Sequence, residues 1–416
     1  MRCVPATRLP RSATRVVDDA VRQAFADGVP LSRSDLLERT GLSRSALQNA
    51  VARLQEAGDL TLAPAPDARG TGRPAQRFRL TGRARTTPTV VLDPAGTTTV
   101  VGASTDDREP ARREAAHWRG DADGWTRSVA AAVTATLADA PDPDDAAVVV
   151  SVPFPFAPGR GVPLHPPVVP LPRGTPRRLP VPDWLLRDPT PMLTAAFGRP
   201  VRIVNDVNLA GLGEAHHGAA RGARTALFLA LREGAGAAVV VDGRVSSGAN
   251  GMTGELAHVQ AVPDGPLCSC GNRGCLATQT LSPSVVEALT LRSGRAVTFD
   301  DLETLVRHDD PVAVRFLVDL GRLVGGPLAA VIGFLDPDVI VLEGALGDAT
   351  EPVTRGIVEV VHQRLAPVVA GALRIVRGEL VRPGLVGAAV VGEAVGSGRG
   401  TAVLRAASAG PLLTAT

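Results

Sequence analysis

Along the first eighty residues, apolar positions recur at helical spacing. Val17, Val21 and Phe25 form one stripe, which Gly28 and Pro30 end. Ser32 with Asp35 three residues on has the form of a capping box, opening a short helix through Leu36, Leu37 and Arg39 that Gly41 terminates. Ser43 caps a further helix in which Leu47, Val51 and Leu54 share one face. Arg44, Ser45, Gln48, Asn49 and Arg53 lie on or near the other, until Gly58 stops it. Residues 61–80 read as a β-wing: a short strand, a tip rich in Pro, Gly and Arg over 64–74 that includes Arg73, and a returning strand over 76–80.

Beyond residue 88 the pattern becomes α/β. Strand-like runs at 89–92, 98–102 and 147–152 bracket a helix over 125–137. Residues 153–182 are too rich in Pro for regular helix and form either a substrate-side loop or a mobile connection. A helix near 191–197 follows, then strands at 201–204 and 226–231, a hairpin turning at Asp242-Gly243, a cysteine cluster, several helices and a buried strand at 339–342.

The 416 residues, 44% of them hydrophobic, suffice for more than one core. Tyr and Lys are absent, so Val, Leu, Ala and Ile fill the interior and every basic residue is Arg. The net charge of +2 hides a polarity: residues 1–85 hold 15 Arg against 8 acidic residues, a net +7, which leaves −5 for the rest. Such an excess is the footprint of a nucleic-acid binder, although a merely solvated surface has the same charge. The polar face adds chemistry, because Arg pairs with guanine and Gln or Asn with adenine in the major groove. Helical hairpins with polar faces also occur in proteins that never meet DNA. Here the capped turn, the polar face and the Arg-rich tip together favour double-stranded DNA.

No uninterrupted apolar stretch reaches the roughly 18–20 residues of a membrane span, and residues 1–15 have no signal-peptide centre, so a cytoplasmic protein without a membrane partner is expected. Four Cys in a chain this long make no disulfide framework. Cys3 stands alone and reads as incidental, whereas Cys268, Cys270 and Cys275 crowd into eight residues. With His258 they supply three thiolates and one imidazole, a set that satisfies tetrahedral zinc and leaves no position for water, hence a structural site. The alternative is a group of reduced, unliganded thiols.

At these residues the chain resembles the ROK family of repressors, open reading frames and sugar kinases. The family pattern is Gly-Glu-x-Gly-His followed by Cys-x-Cys-Gly-x-x-Gly-Cys-x-Glu. The chain reads Gly254-Glu255-Leu256-Ala257-His258, then Cys268-Ser269-Cys270-Gly271-Asn272-Arg273-Gly274-Cys275-Leu276-Ala277. Asn205-Asp206 resembles the family's sugar-site pair, and residues 336–342 resemble its adenosine-side strand. The resemblance implies an α/β fold: a winged helix-turn-helix at 1–82, a linker at 83–88, and an actin-like, RNase-H-like sugar-kinase-type body. The body divides into lobes at 89–204 and 205–380, the second with the zinc site, and a C-terminal helix and tail at 381–416.

The resemblance also implies roles. Asp206 takes the place of the general base, and Asn205, Asp206, Glu255 and His258 form the sugar site; from its position alone, Asp206 is either a ligand group or a strand-end cap. The phosphate-binding parts depart from the pattern. Asp-x-Gly-Gly-Thr has become Asp93-Pro94-Ala95-Gly96-Thr97, Gly-x-Gly-x-Gly has become Arg232-Glu233-Gly234-Ala235-Gly236, and a Gly-Gly pair reads Glu343-Gly344. These changes remove backbone donors and add side chains where phosphates would sit, so Asp206 is read as a vestigial base and the chain as non-catalytic. On the sugar side Ala277 replaces a Glu, Pro153-Phe154 replaces a Pro-Gly turn, and no Asn precedes Trp184 as expected. The resulting expectation is a repressor that reads a two-fold operator as a homodimer or homotetramer and senses a sugar or sugar phosphate. An active ATP-dependent sugar kinase and a ligand-independent DNA-binding scaffold are the alternatives.

Overall fold

Ser32 Oγ accepts the backbone N–H of Asp35 at 3.2 Å, and the Asp35 carboxylate accepts that of Ser32 at 2.8 Å. The expected box therefore closes over the first turn of α1 (Arg33–Thr40), which ends at Gly41 with φ 64°. In the computed structural model, residues 17–18, 20–21, 24–25, 30–56, 60–63, 76–80, 87–92, 98–103, 112–115, 122–138, 147–162, 183–231, 234–396 and 404–405 are described. The chain divides into two compact units, Met1–Ala84 and Arg85–Thr416.

In the first unit Ser43 Oγ accepts the N–H of Ala46 at 3.2 Å and caps α2 (Arg44–Glu56), which buries Leu47, Ala50, Val51 and Leu54. Val21, Phe25, Leu31, Leu36, Leu60 and Phe78 complete that core. Strands β2 (Leu60–Leu62) and β3 (Arg77–Leu80) pair as expected. A two-residue strand, β1 (Leu31–Ser32), joins β3 from the other side and gives the order β1-β3-β2. Two residues are too few to show an alternating pattern, so sequence reading passed over β1. The expected tip at 64–74 and residues 83–86 of the expected linker lie outside the described residues.

The second unit opens with β4 (Thr87–Leu92), β5 (Thr98–Ala103), β6 (Arg112–Ala115), α3 (Ala122–Ala138) and β7 (Val148–Val152), followed by α4 (Asp183–Leu186), α5 (Thr190–Phe197) and β8 (Val201–Asn205). Their sheet runs β6-β5-β4-β7-β8, antiparallel up to β4 and parallel from β4 to β8. All five residues of β7 are buried, as a central strand covered on both faces requires. Trp125, Val129, Val133 and Leu137 of α3 pack on this sheet, and Trp184 stacks on Trp125 with centroids 4.7 Å apart. One expectation is corrected: Thr87 and Pro88 belong to β4, not to a linker. Pairing with β7 starts only at Thr89, so Pro88 faces β5 alone and its missing N–H costs nothing on the β7 side.

Next come α6 (Asp206–His217), β9 (Thr225–Leu231), β10 (Ala235–Val241), β11 (Arg244–Ser246), a 3-10 turn at Leu256–His258, α7 (Ala277–Thr280), α8 (Ser282–Ser293), α9 (Asp301–Arg307) and α10 (Pro311–Leu335). They are followed by β12 (Val339–Leu342), a 3-10 turn at Gly344–Ala349, α11 (Thr350–Arg364), α12 (Pro367–Ala372), β13 (Arg374–Arg377), α13 (Pro383–Gly396) and β14 (Leu404–Arg405). The second sheet has the order β13-β12-β9-β10-β11-β14, and its β10–β11 hairpin turns at Asp242 and Gly243, with φ 51° and 69°.

Helix α10 is long and apolar enough to cross a membrane by length and composition. Half of its most apolar window is buried, however, and Phe316, Leu317, Val324, Leu328 and Ile332 sit in the core beside Val353, Ile357 and Val361 of α11. The expected C-terminal helix is α13, and residues 397–403 and 406–416 of the expected tail lie outside the described residues. Ala388, Ala389 and Val391 of α13 are fully buried in one cluster with Val149 of the first sheet, Leu209 of α6 and Phe228 of β9. The helix thus closes the core that the two sheets share.

Candidate functional site

Strand β8 ends at Asn205, and α6 begins at the next residue. Asn205 Oδ1 accepts the N–H of Asn208 at 3.0 Å, so Asn205 caps the helix, and the capping role left open for Asp206 is filled by its neighbour. The Nδ2 of Asn205 donates to Phe154 O and to Asp206 Oδ1, each at 3.1 Å, and the same carboxylate oxygen accepts the N–H of Val207 at 2.9 Å. Phe154 lies in the turn leaving β7, where its side chain is buried. Glu255 and His258 come from the second lobe at the end of the segment after β11, with His258 Nε2 3.9 Å from Glu255 Oε2. That segment reaches the turn after β7. A Cβ on Gly251 would stand 2.7 Å from Phe156 O, and Arg160 donates to Asn250 Oδ1 at 3.2 Å.

The ligand atoms of His258, Cys268, Cys270 and Cys275 all lie within 4.8 Å of one another and could hold a metal ion. His258 Nδ1 is 3.6 Å from Cys268 Sγ, and Cys270 Sγ is 3.6 Å from Cys275 Sγ. A tetrahedral cation about 2.3 Å from each sulfur sets sulfurs about 3.7 Å apart, so the set fits, whereas a disulfide needs a far shorter contact. Local backbone chemistry makes the cluster. Cys268 N–H donates to Asn272 O at 2.7 Å, and Gly274, with φ 68°, sits where a Cβ would strike Val262 O. Burial pushes the Cys268 thiol up, but hydrogen bonds from His258 and the Cys270 backbone bring it below its ordinary value. Burial, followed by the Cys270 and Cys268 sulfurs, pushes the Cys275 thiol up to about 12. Buried sulfurs this close repel as thiolates, and a dication removes that repulsion. His258 Nε2 is buried without a hydrogen-bond partner, the arrangement expected if Nδ1 serves the cluster and Nε2 faces a ligand.

Among the altered phosphate parts, residues 93–97 and 232–233 lie outside the described residues. Gly236, the second residue of β10, stands against α6: a Cβ there would be 2.9 Å from Val207 Cγ2, so the start of β10 lies beside the helix carrying Asp206. Glu343, at the end of β12, is 9% exposed, and its N–H donates to Leu229 O. Ala277 opens α7 and is buried.

On α2, Arg44, Ser45, Gln48 and Asn49 are exposed, as is Ser43 before it. Arg53, expected beside them, is half-exposed. Its guanidinium forks onto Asp18, with Nη2–Oδ1 at 2.5 Å and Nε–Oδ2 at 3.2 Å, and so ties α2 to the preceding segment. Arg73 lies outside the described residues. Sequence reading missed Glu214, which is buried in α6 and whose carboxylate accepts the N–H groups of Ala219, Glu379 and Leu380. It also missed the Phe154 carbonyl, a main-chain group that carries no mark in sequence.

The family model for the ROK family matches residues 175–394. Glucokinase of Thermotoga maritima is 30% identical over 233 residues, 52% of this chain and 73% of that protein. The DNA-binding transcriptional repressor Mlc of Escherichia coli is 28% identical over 211 residues, 48% of this chain and 52% of that protein. The chain spans about half the length of several of the curated relatives it matches. Among solved structures, a ROK family transcriptional regulator homologous to the Escherichia coli Mlc protein superposes with TM-score 0.73, covering 93% of this chain and 98% of its own at 22% identity. The ROK hexokinase of Thermus thermophilus superposes with TM-score 0.58, covering 73% and 96% at 27% identity. The body therefore has the actin-like, sugar-kinase-type fold. With more than half of its length inside the family model, the chain belongs to the ROK family.

Proposed function

We propose that the chain is a sugar-responsive transcriptional regulator, a repressor, whose N-terminal winged helix-turn-helix binds an operator. The observation that carries this reading is the exposed row of Arg44, Ser45, Gln48 and Asn49 on α2, held on a capped helix pair and followed by a small sheet. The likeness to the Mlc repressor supports it. One such helix reads few bases, so a dimer or tetramer on a two-fold site supplies the remaining specificity. The effector, a sugar or sugar phosphate, lies between Asp206 on one side and Glu255 and His258 on the other. His258, Cys268, Cys270 and Cys275 hold a structural zinc ion. The four ligands fill its coordination sphere, and its contribution is to fold the segment that presents Glu255 and His258.

The decisive experiment maps the DNA bound by the protein genome-wide and repeats the mapping with Arg44→Ala, Gln48→Ala and Asn49→Ala combined. The expected result is loss of all specific sites with folding and metal content unchanged; sites that survive the triple change sink the reading. An ATP-dependent sugar kinase is the second reading, favoured by the approach of Gly236 at the start of β10 to the helix of Asp206 and by the glucokinase relatives. It wins if an ATP-coupled assay finds sugar phosphorylation that Asp206→Asn stops.

A further inference from the structure

Arg53 and Asp18 lie 35 residues apart in sequence and meet in space. Two N–H groups on one edge of the guanidinium donate to both oxygens of the carboxylate, a fork that fixes direction as well as distance. The Asp18 side chain is 15% exposed, so its carboxylate sits largely out of water with Arg53 as its counter-ion. The pair as a whole carries no net charge. The segment that holds Asp18 is itself seated: Val17, Val21, Ala24 and Phe25 pack in one core with Leu36 of α1 and Leu47 of α2, and the N–H of Ala24 donates to Ala20 O as in a turn of helix. Its far end is held from α1, where Arg39 Nη1 donates to Ala24 O at 2.9 Å. Each helix of the pair thus places one Arg on the same segment, α1 at Ala24 and α2 at Asp18.

We infer that Asp18 and Arg53 are positioning residues for DNA recognition: their ion pair sets the roll of α2 about its own axis, and with it the aim of Arg44, Ser45, Gln48 and Asn49. Helix α2 otherwise rests on Leu47, Ala50, Val51 and Leu54, apolar contacts that resist separation but carry little direction. Arg53 borders that stripe, beside Leu54, where a directional bond opposes roll. The base-reading row stands on the same helix, so a roll at Arg53 reaches every member of it. This role rests on the operator reading of α2, and it differs from the sequence expectation, in which Arg53 meets the DNA directly. The two roles make opposite predictions for Asp18. Where charge alone matters, removing an acid from a DNA-binding unit strengthens its hold on every duplex. Where Asp18 orients α2, the same change weakens sequence-specific binding alone.

The test measures affinity of the full-length protein for two duplexes, a site recovered in the genome-wide mapping and a duplex of random sequence, at one salt concentration. Asp18→Asn should bind the mapped site about tenfold more weakly, the size of one good base contact, and the random duplex at least as tightly as the unaltered protein. Exchanging the partners, Asp18→Arg with Arg53→Asp, should recover most of the loss. The random duplex doubles as the control for folding: a change that runs in parallel on both duplexes, or a loss that the exchange does not reverse, overturns the inference. Asp18→Ala with Arg53→Ala removes the pair whole and leaves the net charge as it was. The slope of log affinity against log salt should then stay the same, whereas a slope shallower by about one shows that Arg53 contacts a phosphate and also overturns it. An unaltered protein that prefers no mapped site over the random duplex refutes the operator reading itself, before any variant is made, and the positioning role falls with it.

Discussion

Two carboxylates do structural work in this chain from opposite environments. Asp35 is only half-buried, and the backbone N–H and then the hydroxyl of Ser32 hold its carboxyl below the ordinary value, with Arg77 and Arg39 adding to the effect. A folded-state pKa below the unfolded one means that the box contributes above the unfolded value, near pH 4, and is lost as the pH falls through the lower folded value. The protection of the α1 amides, taken as intrinsic over observed exchange rate at each pH, should therefore fall on acidification below about pH 4, and Asp35→Asn should remove that acid step. Glu214 is the buried counterpart, 1% exposed. Its two oxygens accept backbone N–H groups at 2.8, 3.0 and 3.3 Å and fix the segment between β13 and α13. Glu214→Gln turns one acceptor into a donor facing N–H groups. Urea unfolding should show a loss of about 2–3 kcal/mol.

Helices α6 and α13 meet backbone to backbone. A Cβ on Gly213 would strike Pro383 O, and one on Gly387 would strike Leu209 O, so no side chain fits at the crossing. Gly387→Ala should force the helices apart and lower stability by about 3 kcal/mol, read as a fall in Tm, with no change in the exchange of α1 and α2 amides. This packing also explains what was legible in the sequence. The α1–α2 pair was readable because one face of α2 is apolar and the other polar, with caps at the ends. Helix α6 was not, because every residue from Asn208 to Glu214 is buried and a helix covered on all sides has no stripe to find. The candidate metal-binding group was legible because three of its members are close in sequence, which no tertiary contact can rearrange. The Phe154 carbonyl that orients Asn205 comes from 51 residues away and is backbone, so only the fold brings it there.

Among the described residues the two units have separate interiors: the core of Met1–Ala84 draws on residues between 17 and 78, and the cysteine cluster belongs to the other unit. Between Val259 and Leu276 the chain has neither helix nor extended strand. The bridges Gln260–Cys275 and Leu267–Arg273 and the convergence of the three sulfurs organise it. Such a segment has few backbone ladders of its own, so a cation held by the cluster would contribute directly to its folding. Stripping the metal with a chelator under reducing conditions should expose amides over 256–280 to exchange and lower the Tm of the second unit, as Cys275→Ser should on its own. The amides of α1 and α2 should exchange at their original rates in both cases. Because His258 is at once a candidate metal ligand and a candidate sugar ligand, the stripped protein should also lose its sugar response while keeping its affinity for an isolated half-site. Unchanged exchange over 256–280 after complete metal removal would mean that the thiols pack without a cation and that hydrogen bonds alone hold the segment.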